Sequence, residues 1–238
     1  MDSSSKISTK IINSFYFSSF AIFSLLIYFR ESGEYNKFFN FLPVLGGGIP
    51  YFILTISLIF IYKFDGKKLS ELGFSWLQYG KIKLKTLLLL FSWALVILFI
   101  GLVSGSIVME AFDLIVGAIS EPNPRKSPLV GNLNLLLFLT PLMWLAVIGE
   151  ELLFRGFIMN FLARKFGNTT KSWILTIVMS SVIFGLAHFW QSFRGVVGAG
   201  VLSLIWGYAY YRCGRNLWLA IFAHSATNTI GFIATFNS

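Results

Sequence analysis

Long apolar runs alternate with short polar connectors along this chain. Ile11 to Phe29 is the first run, rich in Phe and Ser. The second extends from about Phe41 to Tyr62, where Pro43, the Gly46–Gly48 triplet and Pro50 bend or break the first turns. Membrane helices tolerate such residues where neighbours satisfy the freed backbone groups. The third starts at Thr86 and stays apolar, with interruptions, to Ile119, which is too long for one crossing. Either that helix protrudes, or Gly101–Ser106 breaks it and Ile107–Ile119 forms a separate interfacial or re-entrant piece carrying Glu110 and Asp113. Four more runs follow: Leu135 to Arg164, Trp173 to about Phe189, Val196 to Tyr211, and Leu217 to about Phe236. Around the sixth run Gly195, Ala199, Ser203 and Gly207 recur at every fourth position, a small-residue ridge that admits a close helix neighbour. The pattern predicts an all-α polytopic integral membrane bundle of about seven transmembrane helices, or eight if 107–119 crosses.

The connectors orient the bundle. Arg30 to Asn40 has no net charge, whereas Lys63 to Lys85 holds Lys63, Lys67, Lys68, Lys81, Lys83 and Lys85 against Asp65 and Glu71. The positive-inside rule puts that connector, and with it the amino terminus, in the cytoplasm. Within it, Leu69, Leu72, Phe74, Trp76 and Leu77 among polar residues predict a short segment lying at the interface. Ser120 to Leu133, with Pro122, Pro124 and Pro128, reads as a loop. The polar, basic residues 1–10 and the following run, which lacks a small-residue cleavage signature, read as a retained span.

Composition sharpens this picture. The chain is 56% hydrophobic and 12% charged, about half the charge of a soluble protein. Its net charge of +9 resides in the connectors, as expected beside membrane spans, so it gives no reason to expect nucleic acid as a partner. A lone Cys213 excludes an internal disulfide framework and any multi-cysteine metal site.

Against that apolar background a few polar residues stand out. Glu150, Glu151 and Arg155 lie mid-span, and the chain's two histidines, His188 and His224, each sit in an apolar run. Charge at membrane depth is costly and persists mainly where it faces a protein interior or a water-filled cavity. At about 1.5 Å per residue, Glu150 lies roughly 21 Å from Arg164 and His188 roughly 25 Å from Lys171, whereas His224 lies only roughly 13 Å from Arg215. Three spans therefore deliver ionisable groups to one buried region, the third with a looser match in depth.

Adjacent glutamates on a helix point about 100° apart, so they cannot both face one reaction centre. Glu151 and Arg155 have the spacing of a same-face ion pair, which leaves Glu150 for chemistry as a general base and then a general acid. All three could instead form one salt-bridge cluster that locks the bundle. His188 has three readings: a packing residue, a group that orients water, or a metal ligand. His224 and Asn228 share a helix face, where they could donate to a developing oxyanion. In the other reading His224 ligates a metal and Asn228 supports it. Phe184, four residues before His188, is either core or pocket wall. Glu, His, His and Asn suffice for water-activated hydrolysis with or without Zn²⁺, and HExxH is absent.

These residues resemble a known family. Glu150-Glu151-Leu-Leu-Phe-Arg155 matches the EExxxR motif of the CAAX-protease and bacteriocin-processing family, the Rce1-like intramembrane proteases. Phe184-Gly-Leu-Ala-His188 matches its FxxxH motif, and His224-Ser-Ala-Thr-Asn228 its HxxxN/D motif. Leu72-Gly-Phe and Arg215-Asn-Leu-Trp are also similar to family sequence, and the resemblance covers about residues 65–235. It implies one membrane domain over 1–238, with the catalytic core at about 134–235 and the spans within 11–62 peripheral.

The resemblance further implies an intramembrane endopeptidase in which Glu150 and His188 activate water while His224 and Asn228 stabilise the oxyanion. Glu151, Arg155 and Phe184 take supporting parts. The expected scheme needs no cofactor, since Asn is a poor Zn²⁺ ligand and Glu151 points away; a metal-dependent version would use Glu150, His188 and His224. Expected partners are the lipid bilayer and a membrane-anchored protein or peptide substrate, in a multi-pass protein of the cell membrane. The chain has the look of a bacterial member, whose relatives act in bacteriocin self-immunity, peptide maturation or export, phage defence and surface signalling. A non-enzymatic scaffold or bacteriocin-immunity factor on the same fold is the alternative. A proton-relay transporter would predict paired half-repeats, and none is visible.

Overall fold

The computed structural model describes residues 56–57, 59–60, 63, 72–74, 84–116, 127–189 and 192–238. The first predicted span, the connector after it, most of the second span and of the lysine-rich connector, and residues 120–126 of the proline loop lie outside the described residues.

Six α-helices and one π-helical segment build the described part, with no strand among these residues. They are α1 (Leu84–Val116), α2 (Leu133–Glu151), the π segment (Leu152–Met159), α3 (Asn160–Lys165), α4 (Thr170–Leu186), α5 (Ser192–Arg212) and α6 (Leu217–Phe236). α2, the π segment and α3 run on as one rod, Leu133–Lys165. That rod, Leu88–Val116 of α1, and α6 are each long and apolar enough to cross a membrane; α4 is apolar but shorter.

Their outward faces fit that solvent. Phe91, Phe99, Leu114 and Ile115 of α1 and Leu137 and Phe138 of α2 are exposed. α1 is unbroken over 33 residues, so Gly101–Ser106 does not interrupt it and 107–116 continues the third span. At about 1.5 Å per residue the helix measures about 50 Å, longer than a hydrocarbon core of about 30 Å. From Leu87 to Ile100 Ser92 is the single polar residue, and no proline occurs up to Val116, so the helix runs on through Gly101 and Gly105.

Polar caps fix the helix starts. Asn132 Oδ1 accepts from Leu135 N at the head of α2, and Asn216 Oδ1 from Trp218 N at the head of α6. Thr169 and Ser172 form a capping box on α4. Such caps are each worth about 1 kcal/mol. Pro141 sits inside α2 without ending it.

The most extensive interface joins α4 and α5. It depends on Gly185, where a Cβ would stand 2.6 Å from Val196 O and 3.2 Å from Gly200 Cα. The predicted small-residue ridge is divided in use. Gly207 packs near Ile177 and Met159, and Ser203 is buried, but Gly195 and Ala199 line a cavity.

Leu72, expected at the interface, is instead 1% exposed in the core. Gly73 O accepts from Leu217 N at 2.9 Å, and Phe74 meets Trp218 edge to face at 5.5 Å. The tripeptide docks on the start of α6, where an unpaired helix N–H gives its carbonyl a partner.

Candidate active site

α2, the π segment, α4, α5 and α6 surround a cluster of polar side chains in an otherwise apolar interior. Glu150 and Glu151 close α2, and the turn between them divides their surroundings. Glu151 is fully buried. Its Oε1 accepts from Arg155 Nη1 at 2.9 Å and lies 2.8 Å from His224 Nδ1. Arg155, also fully buried, donates through Nη2 to Ser203 Oγ at 2.8 Å and Ser203 O at 3.1 Å. Glu150 keeps 15% of its side chain exposed, and its Oε2 lies 3.8 Å from His224 Nε2.

The expected ion pair is thus present, but Glu151 does not point away. It reaches across to α6 and holds His224. A carboxylate only accepts, so Nδ1 of His224 carries the proton in that bond and Nε2 is directed towards Glu150.

His188 lies just past the end of α4, not within it. Its Nδ1 is 2.8 Å from Phe184 O. A carbonyl likewise only accepts, so Nδ1–H donates and the neutral ring keeps Nε2 as its acceptor. Phe184 is both core and wall. It is 1% exposed, lies 4.6 Å from the His188 ring and 5.8 Å from that of His224, and carries the Arg155 guanidinium 5.0 Å from its centroid.

A cavity of about 560 Å³ opens here. Glu150, Phe184, His188, His224 and Asn228 all line it, with Met109, Met143, Leu202 and Trp206. The four residues picked out as catalytic therefore share one space; Glu151 and Arg155 lie behind its wall. Nδ1 of His224 is held by Glu151 and Nδ1 of His188 by a backbone carbonyl, which leaves Nε2 of each ring as the atom that can act in the cavity, as a hydrogen-bonding group or as a ligand.

A π turn bonds i to i+5 and rises less per residue, so the π segment shortens the distance from Glu150 to Arg164 slightly and narrows, without closing, the depth mismatch with His224. The sequence reading missed Trp206, which stacks on His224 at 4.1 Å with rings 22° apart. A tryptophan deep in a span instead of at its end was the available signal. Asn160 and Tyr210 were also missed, and Ser203 was read only as a small residue.

Fold and site together define a helical membrane protein with a carboxylate–histidine cavity. Residues 132–230, which supply all of the cavity's polar lining, match the family described as type II CAAX prenyl endopeptidase, Rce1-like, a match that supports membership of the CAAX-protease and bacteriocin-processing proteins. No curated protein and no solved structure was found to match the chain. The family is one of proteases, which supports an endopeptidase in general.

Proposed function

We propose that this chain is an intramembrane endopeptidase that cleaves membrane-anchored proteins or peptides with water activated by Glu150. The observation that carries this reading is the shared cavity of Glu150, His188, His224 and Asn228. Glu150 takes a proton from water while His188 Nε2 accepts the water's second O–H and orients it. The hydroxide attacks the scissile carbonyl. Asn228 Nδ2–H and His224 Nε2–H donate to the resulting oxyanion. To donate there His224 carries protons on both nitrogens, and Glu151 on one side and Glu150 on the other face that charge. Collapse breaks the C–N bond, and Glu150 returns its proton to the leaving amine. No step requires a metal.

The basic turns support an orientation. Arg215 lies 5.8 Å from the Trp173 ring, which sets the turn after α5 beside the turn after α3, with Arg164, Lys165 and Lys171 nearby in sequence. The positive-inside rule assigns that end, and the amino terminus, to the cytoplasm of a cell-membrane protein.

The test is cleavage of membrane-anchored peptide reporters by purified protein in liposomes, beside Glu150→Gln and with a strong chelator. We expect Glu150→Gln to lower the rate by about 10²–10⁴-fold and the chelator to leave it unchanged. Loss with the chelator would move the chemistry to a metal. A wild-type cellular phenotype that survives Glu150→Gln would make the chain a scaffold or immunity factor instead.

A further inference from the structure

The side of the π segment away from the cavity is held by residues that the catalytic scheme does not use. Asn160 is 2% exposed, and its Nδ2 donates to Arg155 O and Gly156 O, both at 2.9 Å, and to Tyr210 Oη at 2.8 Å. An amide group has two hydrogens, so one is shared by the neighbouring carbonyls and the other goes to Tyr210. The amide thereby seals the junction at which the i to i+5 pattern returns to α. Tyr210 itself is fully buried.

Leu72, Gly73 and Phe74 come from the lysine-rich connector and close over this junction. At Gly156 a Cβ would stand 3.4 Å from Leu72 O and 3.7 Å from Leu72 Cβ. At Gly73 it would stand 3.1 Å from Tyr210 Cε2 and 2.5 Å from Arg215 O. The φ of Gly73 is +105°, a conformation that side-chain-bearing residues rarely adopt, so the fit is specific to glycine.

We propose that the Leu72–Phe74 tripeptide is a positioning element of the active site, holding the π segment in register through Gly156, Tyr210 and Asn160. The path onward is short. Arg155, whose carbonyl Asn160 holds, is hydrogen-bonded to Glu151, and the same Glu151 oxygen holds Nδ1 of His224. A shift of the π segment is therefore a shift of His224 relative to Glu150. The role of the tripeptide rests on the hydrolytic reading above; its effect on His224 does not.

Tyr210→Phe removes one hydroxyl and keeps the ring, and Gly73→Ala removes the docking geometry. Both are compared with wild type for cleavage in liposomes, thermal midpoint, and ¹⁵N-histidine NMR, which has only His188 and His224 to report. For Tyr210→Phe we expect kcat to fall about tenfold to a hundredfold while KM stays within about twofold. The His224 resonances move and those of His188, anchored on Phe184 O, do not. Gly73→Ala, where it folds, shifts the same resonance further. Wild-type kcat with unmoved His224 signals in Tyr210→Phe overturns the proposal. So does a fall in kcat in which both histidines move together, since that is general loosening. If the wild type cleaves no reporter, the hydrolytic reading fails separately, and the selective movement of His224 or its absence decides the positioning role.

Discussion

Glu150 and Glu151 are neighbours in sequence but lie in two different regions of the molecule. Glu150 reaches a cavity, retains partial exposure and has one polar neighbour at 3.8 Å. Glu151 is enclosed, and its Oε1 serves both Arg155 and His224. A single step of about 100° around a helix separates a carboxylate that lines the cavity from one whose hydrogen bonds hold other groups still. Each depends on the other, because His224 bridges the two: its Nδ1 belongs to the enclosed side and its Nε2 to the cavity.

The largest test of this division is Arg155→Ala. It leaves Glu151 enclosed without its cationic partner, and breaking one member of a buried pair costs about 3–5 kcal/mol. We expect a marked fall in thermal midpoint in detergent together with loss of cleavage. Glu150→Gln should lose cleavage with an unchanged midpoint. Equal thermal losses in the two variants would erase the distinction between the regions.

Gly185→Ala tests how the two sides are clamped together. Its Cβ would meet backbone, Val196 O at 2.6 Å, so α4 and α5 must separate. Overpacking of this kind costs about 1–3 kcal/mol. Because Phe184 and His188 flank Gly185, cleavage should fall further than stability alone accounts for, and melting and kinetics measured on one preparation would separate the two. A variant that melts lower but cleaves normally would show that this contact serves the fold alone.

The extent of the fold that could be read from the chain follows from the same physics. Apolar runs with polar ends mark spans whatever they pack against, which is why α6 begins and ends where periodicity places it. The cavity residues were legible because charge and imidazole are conspicuous at membrane depth. What stayed hidden was encoded by contact, not composition. Arg155 and Gly156 apart, the π segment has an ordinary apolar sequence, and the Asn160 side chain, with Tyr210 fifty residues on, reveals why it holds. Leu72 was read as interfacial because mixed polarity looks alike at a bilayer surface and in a docked turn. Glu151 was assigned to Arg155 alone because i,i+4 spacing shows partners within a helix and none across the bundle.

The smallest effect belongs to a second arginine–carboxylate pair. Asp113 Oδ1 and Arg194 Nη1 are 2.9 Å apart, the same distance as in Glu151–Arg155, but their side chains are 33% and 48% exposed instead of fully buried. Distance alone would make the pairs equivalent. Exposure decides otherwise, because Asp113 lies near the far end of a helix longer than the hydrocarbon core, where water reaches the pair and solvates either charge when its partner is removed. Asp113→Asn should therefore cost less than about 1 kcal/mol, a difference that added salt should diminish further. Arg194 also lines the cavity, so the same variant frees a cation at its edge without touching Glu150 or either histidine. Cleavage of reporters that differ only in the charge of one flanking residue should then shift in favour of the acidic one, by about twofold to fivefold for an interaction of this strength. A loss of stability on the scale of Arg155→Ala would place this pair with the enclosed network and redraw the boundary between the two regions.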